Sequence, residues 1–524
     1  MMAAALMTVC CSEEDQLKYE QLQKELETMQ GETKDVPEAS EATVPEIDPY
    51  EFTLDKTRYG VDAGGSVTIG YSIPEASSIE VSVPQGWSAV VNKAASEIVI
   101  TAPDPAFPCE MYVTATAEDG RTASAVLPVM IRDPYTDATR TDVAALAYFC
   151  FYPEIATDYH FEMMAKCGMN MLTIEQVDNW QEQLTLAHKY GLKGVLFVNG
   201  VAGKYYSTHG TSTALDEVIN EAKNVEKYPA LAGYQIFDEP STERIGQIKY
   251  EKDRIEELDP NPAHPVYVNM HPGSASKYSL GVEDYFEYVE TLVTECDLKL
   301  ITFDQYPVFF GYIDPTWIKS LVAVRTSAMR HNIPFWAFTL SCREQGREDP
   351  TLETIRLQCN TNLLFGAQVN QFFVYRNTSG TKYCPLVIDW ETGTASYTGA
   401  YDACQEYCTE MHHFGFIFSD CNVKAVRNLN VFNNWVENLS REDLPPQIKT
   451  ITASREAMVS IIENKGNEYV AVVNSLWNMP QTVSIETNDM IYEIDHDGVF
   501  TQLDAGTKYD IELGGGDMVV FKAK

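Results

Sequence analysis

Hydrophobic patterning divides the chain into three regimes. Between Tyr50 and Arg132 apolar and polar positions alternate in short runs. These are Ser66-Val-Thr-Ile-Gly-Tyr-Ser-Ile73, Ile79-Glu-Val-Ser-Val83, Glu97-Ile-Val-Ile-Thr101, Met111-Tyr-Val-Thr-Ala-Thr-Ala117 and Ala123-Ser-Ala-Val-Leu-Pro-Val-Met-Ile131. A period of two, interrupted by turn residues such as Glu118-Asp-Gly120, specifies half-buried antiparallel strands. Short strands at this spacing make a β-sandwich, expected over residues 50–133.

From Val143 to about Gly415 the pattern changes to apolar strand-like runs alternating with helical stretches. The strands read as Ala144–Tyr152, Met169–Gln176, Leu192–Asn199, Leu231–Phe237, Pro265–Met270, Leu298–Phe303, Pro334–Leu340 and Val369–Tyr375. Helical stretches such as Gln181–Tyr190, Glu243–Leu258 and Thr316–His331 lie between them, and the last helix runs from about Thr398 to His413. Eight β-then-α units in about 270 residues match a closed (β/α)₈ TIM barrel over 143–415. A doubly wound open sheet is the alternative; the count of eight and the missing Gly-rich phosphate loop favour the barrel. From about Ile417 to Lys524 alternation returns, in Tyr469-Val-Ala-Val-Val-Asn-Ser475 and Asp517-Met-Val-Val-Phe-Lys522, and predicts a second β-sandwich over 417–524. The fold class is therefore multidomain, with a β-sandwich on each side of a barrel.

The segments outside these domains carry address-like features. Met1 to Val9 is small and apolar, and Cys10-Cys11-Ser12-Glu13-Glu14-Asp15 follows. This resembles a bacterial lipoprotein signal, and the acidic run after the cysteine resembles the surface-export signal of Bacteroidetes lipoproteins. The resemblance implies a signal peptide over 1–11 and lipid on Cys11, with Cys10 the alternative. It also implies an outer-membrane or cell-surface location, a periplasm-facing one being possible within the same logic. The lack of a basic segment before the apolar run, and Thr8 within it, depart from that pattern. Leu17, Leu22, Leu26 and Met29 stand near helical spacing, so 12–49 reads as a helical stalk and a Pro-containing linker. The 50–133 sandwich resembles bacterial immunoglobulin-like modules of secreted glycan-processing proteins, which act mostly as spacers.

A formal net charge of −38 excludes nucleic acid and anionic membrane as direct partners, leaving the lipid as the only route to a membrane. Twelve cysteines without CxxC or His/Cys spacing read as buried thiols, and no metal ligand set or cofactor motif is present in the sequence. Aromatic residues make up 11% of the chain, which suits stacking on sugar rings.

Barrel enzymes carry their chemistry at the C-terminal ends of the strands. Here those ends hold Glu175, Asn199, the run Asp238-Glu239-Pro240, Asn269 with His271, Asp304 with Tyr306, Trp336 followed by Glu344, and Tyr375-Arg376. Pro240 cannot donate to a sheet, so the fourth strand must stop on Asp238 and Glu239. This rim of carboxylates, amides and aromatics resembles the large clan of retaining glycoside hydrolases that includes cellulases and β-galactosidases. The strand-four tip and Asp304-Gln-Tyr-Pro307 carry the likeness. It implies hydrolysis of glycosidic bonds in an oligo- or polysaccharide, with Glu239 as general acid/base and no cofactor. Asp238, Glu175, Asn199, Asn269, His271, Tyr306, Trp336, Tyr375 and Arg376 are expected to contact substrate.

Two departures accompany the likeness. Asp238 stands where the clan has Asn, and the clan's strand-seven glutamate aligns with Thr339. The second carboxylate is left open between Glu344 and Asp304, with Glu175 also placed to supply one. Two rivals remain: a barrel that binds glycans without cutting them, and a metal-dependent hydrolase, which the missing ligand cluster disfavours.

Overall fold

The computed structural model describes residues 50–523, apart from 56–58, 62–63, 75, 104–108, 132–142, 176–178, 199–213, 345, 390 and 431–432. The expected lipid-bearing Cys11, the 12–49 stalk and Asn199 therefore lie outside the described residues. The first sandwich packs two four-stranded sheets around Ile69, Trp87, Ile98, Ile100, Met111 and Leu127.

The central domain is a closed barrel of eight parallel strands. We label them β1 (Ala144–Ala147), β2 (Met171–Ile174), β3 (Lys193–Phe197), β4 (Leu231–Asp238), β5 (Val266–Met270), β6 (Ile301–Phe303), β7 (Phe335–Leu340) and β8 (Val369–Phe373). Each pairs with the next, and β8 closes on β1 with Val369 opposite Ala144. Closure follows from strands that are apolar on both faces, as a parallel sheet covered by helices requires. Leu146, Met171, Val195, Tyr267 and Trp336 fill the inside of the ring. The alternate positions Ala145, Leu172, Leu196, Val268 and Ala337 join the core shared with the surrounding helices.

The final sandwich pairs a six-stranded sheet with a three-stranded one. Its boundary with the barrel differs from the sequence expectation. The last barrel helix runs Gly399–Phe418, past Gly415 and Ile417, and the first strand after it begins at Asn422. Phe414, Ile417 and Phe418 are buried, so the helix is prolonged by the apolar surface it covers. One continuous core joins these residues to Met458, Ile462, Ala471 and Val520 of the sandwich. Nine cysteines are described, all free, and eight are buried; Cys404 and Cys408 lie together inside this helix. Among the described residues no helix is long and apolar enough to cross a membrane.

Candidate active site at the barrel mouth

β4 ends on Asp238, and the next residue, Glu239, holds a left-handed backbone with φ of 45°. A non-glycine residue rarely takes this conformation, and such strain persists where neighbours over-determine it. Here the Glu239 amide donates to the Asn269 carbonyl at 2.8 Å, and Pro240 follows. The turn presents the half-exposed Glu239 carboxylate to the mouth, where Oε1 lies 3.4 Å from His271 Nδ1.

Asn269, at the tip of β5, organises the neighbouring acids. Its Nδ2 donates to Asp238 Oδ1 at 3.0 Å and to Asp304 Oδ1 at 3.3 Å. Its own oxygen accepts from the Thr302 hydroxyl at 3.2 Å, which fixes the amide orientation. Two acceptors sharing one nitrogen can be no more than about 6 Å apart, so the carboxylates feel each other's charge. Burial holds Asp304 well above the usual carboxylate range, and the charges of Glu239 and Asp238 push the same way. Asp238 is open to water at the mouth yet closely ringed by protein. That enclosure raises its pKa, while the Asn269 hydrogen bond works in the opposite direction.

Glu175, just past β2, has its Oε1 buried without a hydrogen-bond partner. Burial and the Asp238 charge lift its pKa to about 8, against the pull of Arg376. Glu175 and Arg376 share a cavity of about 80 Å³ with Phe149, Cys150, Phe151 and Tyr152. Arg376 is itself buried: Nε donates to the Cys150 carbonyl at 3.2 Å, and the guanidinium lies 4.0 Å from the Tyr152 ring centre. Glu344, on the loop after β7, is half-buried. Burial raises its pKa, Arg347 opposes the rise, and the Glu239 charge adds to it.

The mouth thus brings together Asp238, Glu239, Asn269, His271 and Asp304, with Glu175 and Glu344 at its sides. Three expectations are corrected. Tyr375 is fully buried outside the strand ring, edge-on to Phe151, because alternation breaks after β8 and Val374 follows Phe373 on the inside; Tyr375 does not reach the mouth. Trp336 and Tyr306 are only 8% and 9% exposed. They pack against Tyr267 and Phe373 and form the floor of the mouth rather than an open platform. Thr339 also faces the helices: its hydroxyl lies 3.2 Å from the Cys359 thiol. The inward positions of β7 are Trp336, Phe338 and Leu340, so this strand brings no acid to the mouth.

Sequence reading missed Tyr148 and Tyr267, whose electrostatic neighbours include Glu175 and Asp238. Only the inward parity of β1 and β5 could have indicated them. Among the described residues no group of three or more His, Cys, Asp or Glu is arranged to hold a metal ion.

No protein-family model and no curated protein match this chain. Solved structures do match, at low identity. A β-galactosidase from Bacillus circulans sp. alkalophilus aligns over 73% of this chain and 99% of its own, with a TM-score of 0.50 and 9% identity. A putative α-galactosidase/melibiase from Bacteroides fragilis covers 91% of this chain and 99% of its own, with a TM-score of 0.39 and 9% identity. A β-glucuronidase from Ruminococcus gnavus covers 68% of this chain and 67% of its own, with a TM-score of 0.35 and 11% identity. These structural neighbours are glycoside hydrolases. The first of them bears out the expected architecture of a multidomain (β/α)₈ barrel with accompanying β-sandwiches.

Proposed function

We propose that this protein is a glycoside hydrolase in which Glu239 is the general acid and base and Asp304 the second carboxylate. The observation that carries the reading is the convergence at Asn269 in the barrel mouth: Asp238 and Asp304 share its side-chain amide, and Glu239 is held by its backbone carbonyl. Glycoside hydrolysis needs one carboxyl that donates a proton to the leaving oxygen and another that attacks or activates water. Glu239 faces the solvent side, where a leaving group departs, and His271 beside it can relay a proton. Glu344 is the further candidate for the second acid, carried by a loop rather than a strand.

The raised pKa of Asp304 favours a second reading with the roles exchanged. A carboxyl whose surroundings favour its protonated form suits the donor, leaving Glu239 to attack the sugar or to activate water.

Activity of the purified protein on neutral polysaccharides and aryl glycosides, beside Glu239→Gln and Asp304→Asn, tests both readings. Loss of the proton donor spares nitrophenyl glycosides, whose leaving group needs little protonation, while loss of the attacking carboxylate abolishes all turnover. Saturable binding without turnover in every form would instead mark a glycan-binding protein. Chelator-sensitive turnover surviving both substitutions would mark a metal enzyme.

The run Cys10-Cys11-Ser-Glu-Glu-Asp supports anchoring of this barrel by lipid at the outer membrane or cell surface. Incorporation of labelled palmitate that disappears in Cys11→Ala and persists in Cys10→Ala is the expected result.

A further inference from the structure

The rim between β6 and β8 carries a platform built from three connected segments. After β6 a hairpin pairs Val308–Phe309 with Tyr312–Ile313. The loop after β7 is stitched to it: the Phe310 amide donates to the Gly346 carbonyl at 3.3 Å, and the Glu348 amide to the Val308 carbonyl at 3.2 Å. On its other side the same loop exchanges two backbone hydrogen bonds with the segment after β8, Arg343 to Lys382 at 2.7 Å and Lys382 to Arg343 at 3.0 Å. Backbone pairing of this kind gives three loops the stiffness of a small sheet.

Aromatic rings stand on this platform with cations behind them. The Arg347 guanidinium lies 3.7 Å from the Phe309 ring centre, and Phe309 stacks on Tyr312 at 4.9 Å and 6°. Arg343, paired with Asp349, lies 4.7 Å from the Tyr383 ring centre and 5.8 Å from that of Phe310. Phe309 is contacted by both Arg347 and Tyr312, while Tyr312 and Tyr383 remain more than half exposed. Phe310, Tyr312 and Tyr383, each more than half exposed, are grouped on one hydrogen-bonded support, and grouped apolar surface of this kind marks binding sites.

The platform is continuous with the acids of the mouth. Glu344 sits between Arg343 and Arg347 on the same loop and feels the charge of Glu239. On the segment after β5, Tyr278 is 86% exposed and lines a depression of about 440 Å³ with Glu239, His271 and Arg244. Exposed rings on the segments after β5, β6 and β8 therefore stand around the rim that carries the carboxylates.

We propose that Tyr312, Tyr383 and Tyr278 are sugar-stacking subsites that hold an unbranched stretch of a neutral polysaccharide along the rim of the mouth, so that cleavage is internal to the chain. A pyranose presents a face of C–H groups, which matches the electron-rich face of an aromatic ring, and its hydroxyl edges stay in water. The acids in the mouth and the net charge of −38 disfavour an anionic chain. Internal cleavage rests on the hydrolase reading; the stacking subsites do not.

The test uses the full-length Glu239→Gln protein in native gels containing galactomannan, xyloglucan, arabinogalactan or mixed-linkage β-glucan, and the parent protein for product analysis. The expected result is retardation by at least one polymer. Adding Tyr312→Ala or Tyr383→Ala should weaken that retardation on the order of tenfold. Tyr250→Ala, on the outer helix Ile245–Leu258, should not change it. Melting temperatures of all variants should stay within about 4 °C of the parent, since each altered ring is largely at the surface and loses a single stacking contact. On the retarding polymer the parent should lower viscosity quickly and release oligosaccharides of mixed length. Absence of retardation, or retardation indifferent to both tyrosines, overturns the subsites even if aryl glycosides are turned over. Release of monosaccharide alone overturns internal cleavage. Tyrosine-dependent retardation without turnover of any substrate upholds the subsites and removes the hydrolase.

Discussion

The Thr339 hydroxyl meets the Cys359 thiol at 3.2 Å, on the face of β7 that looks towards the helices. A residue so placed cannot reach a sugar. Thr339→Val should therefore leave kcat/KM on any accepted substrate within about twofold while lowering stability by about 1 kcal/mol, the net worth of a buried hydrogen bond. A large loss of turnover in a protein that still melts near the parent temperature would contradict this placement.

Asn269 is expected to matter far more. It donates to Asp238 and Asp304 at once, and both bonds favour the ionised carboxylates. Asn269→Leu removes them, so the acids titrate at higher pH. The acidic limb of the pH–rate profile should move up, with kcat falling on the order of a hundredfold, as when a donor at a charged centre is lost. An unmoved profile would disconnect the amide from the reacting acids.

Glu175 predicts a conflict between stability and activity. Its pKa rises from 4.5 to about 8 on folding. The folded state then holds a proton that the unfolded chain releases, so this residue lowers stability progressively as pH rises from about 4.5 to 8. Glu175→Gln should be more stable than the parent at pH 8 by up to a few kcal/mol, with the gap closing towards pH 4.5. Denaturant titrations at several pH values measure it. The same variant should bind glycans less well, because it loses an acid from the mouth.

His496 should show the opposite dependence. Burial disfavours its charge, but the Asp517 hydrogen bond and the charges of Asp517 and Glu410 prevail and raise its pKa from 6.5 to about 9. The contribution is complete below about 6.5 and is lost as pH rises through about 9. His496→Gln should melt below the parent at pH 6 and converge with it above pH 9. Glu410 lies on the last barrel helix and Asp517 in the sandwich, so the effect reports on how those domains hold together.

Much of this architecture was legible because parallel strands covered on both faces leave continuous apolar runs, and Pro240 ends one of them at two acids. The same property concealed the site's finer geometry. Phe335-Trp-Ala-Phe-Thr-Leu340 is buried throughout, so nothing in its composition tells whether Thr339 or Leu340 points inward; pairing with β6 and β8 decides. Tyr375 was misjudged for a different reason: strict alternation from Phe373 would turn it inward, but Val374 takes that place. The helix was expected to stop at about His413 because the apolar Phe414 to Phe418 gives no polar face until the sandwich surface beneath it is known. Glu239 was identifiable as an acid at a strand end, but its left-handed backbone depends on the Asn269 carbonyl, which is distant in sequence.

The core that runs unbroken from the barrel helices into the sheet behind them bears on how this molecule can be engineered or rearranged. Cutting the chain near Asn422 would strip the oily back of the last helix, and neither half could be expected to survive alone. The terminal sandwich is in that sense a missing wall of the barrel rather than an appendage, and recombination that exchanged one would have to bring its matching neighbour along.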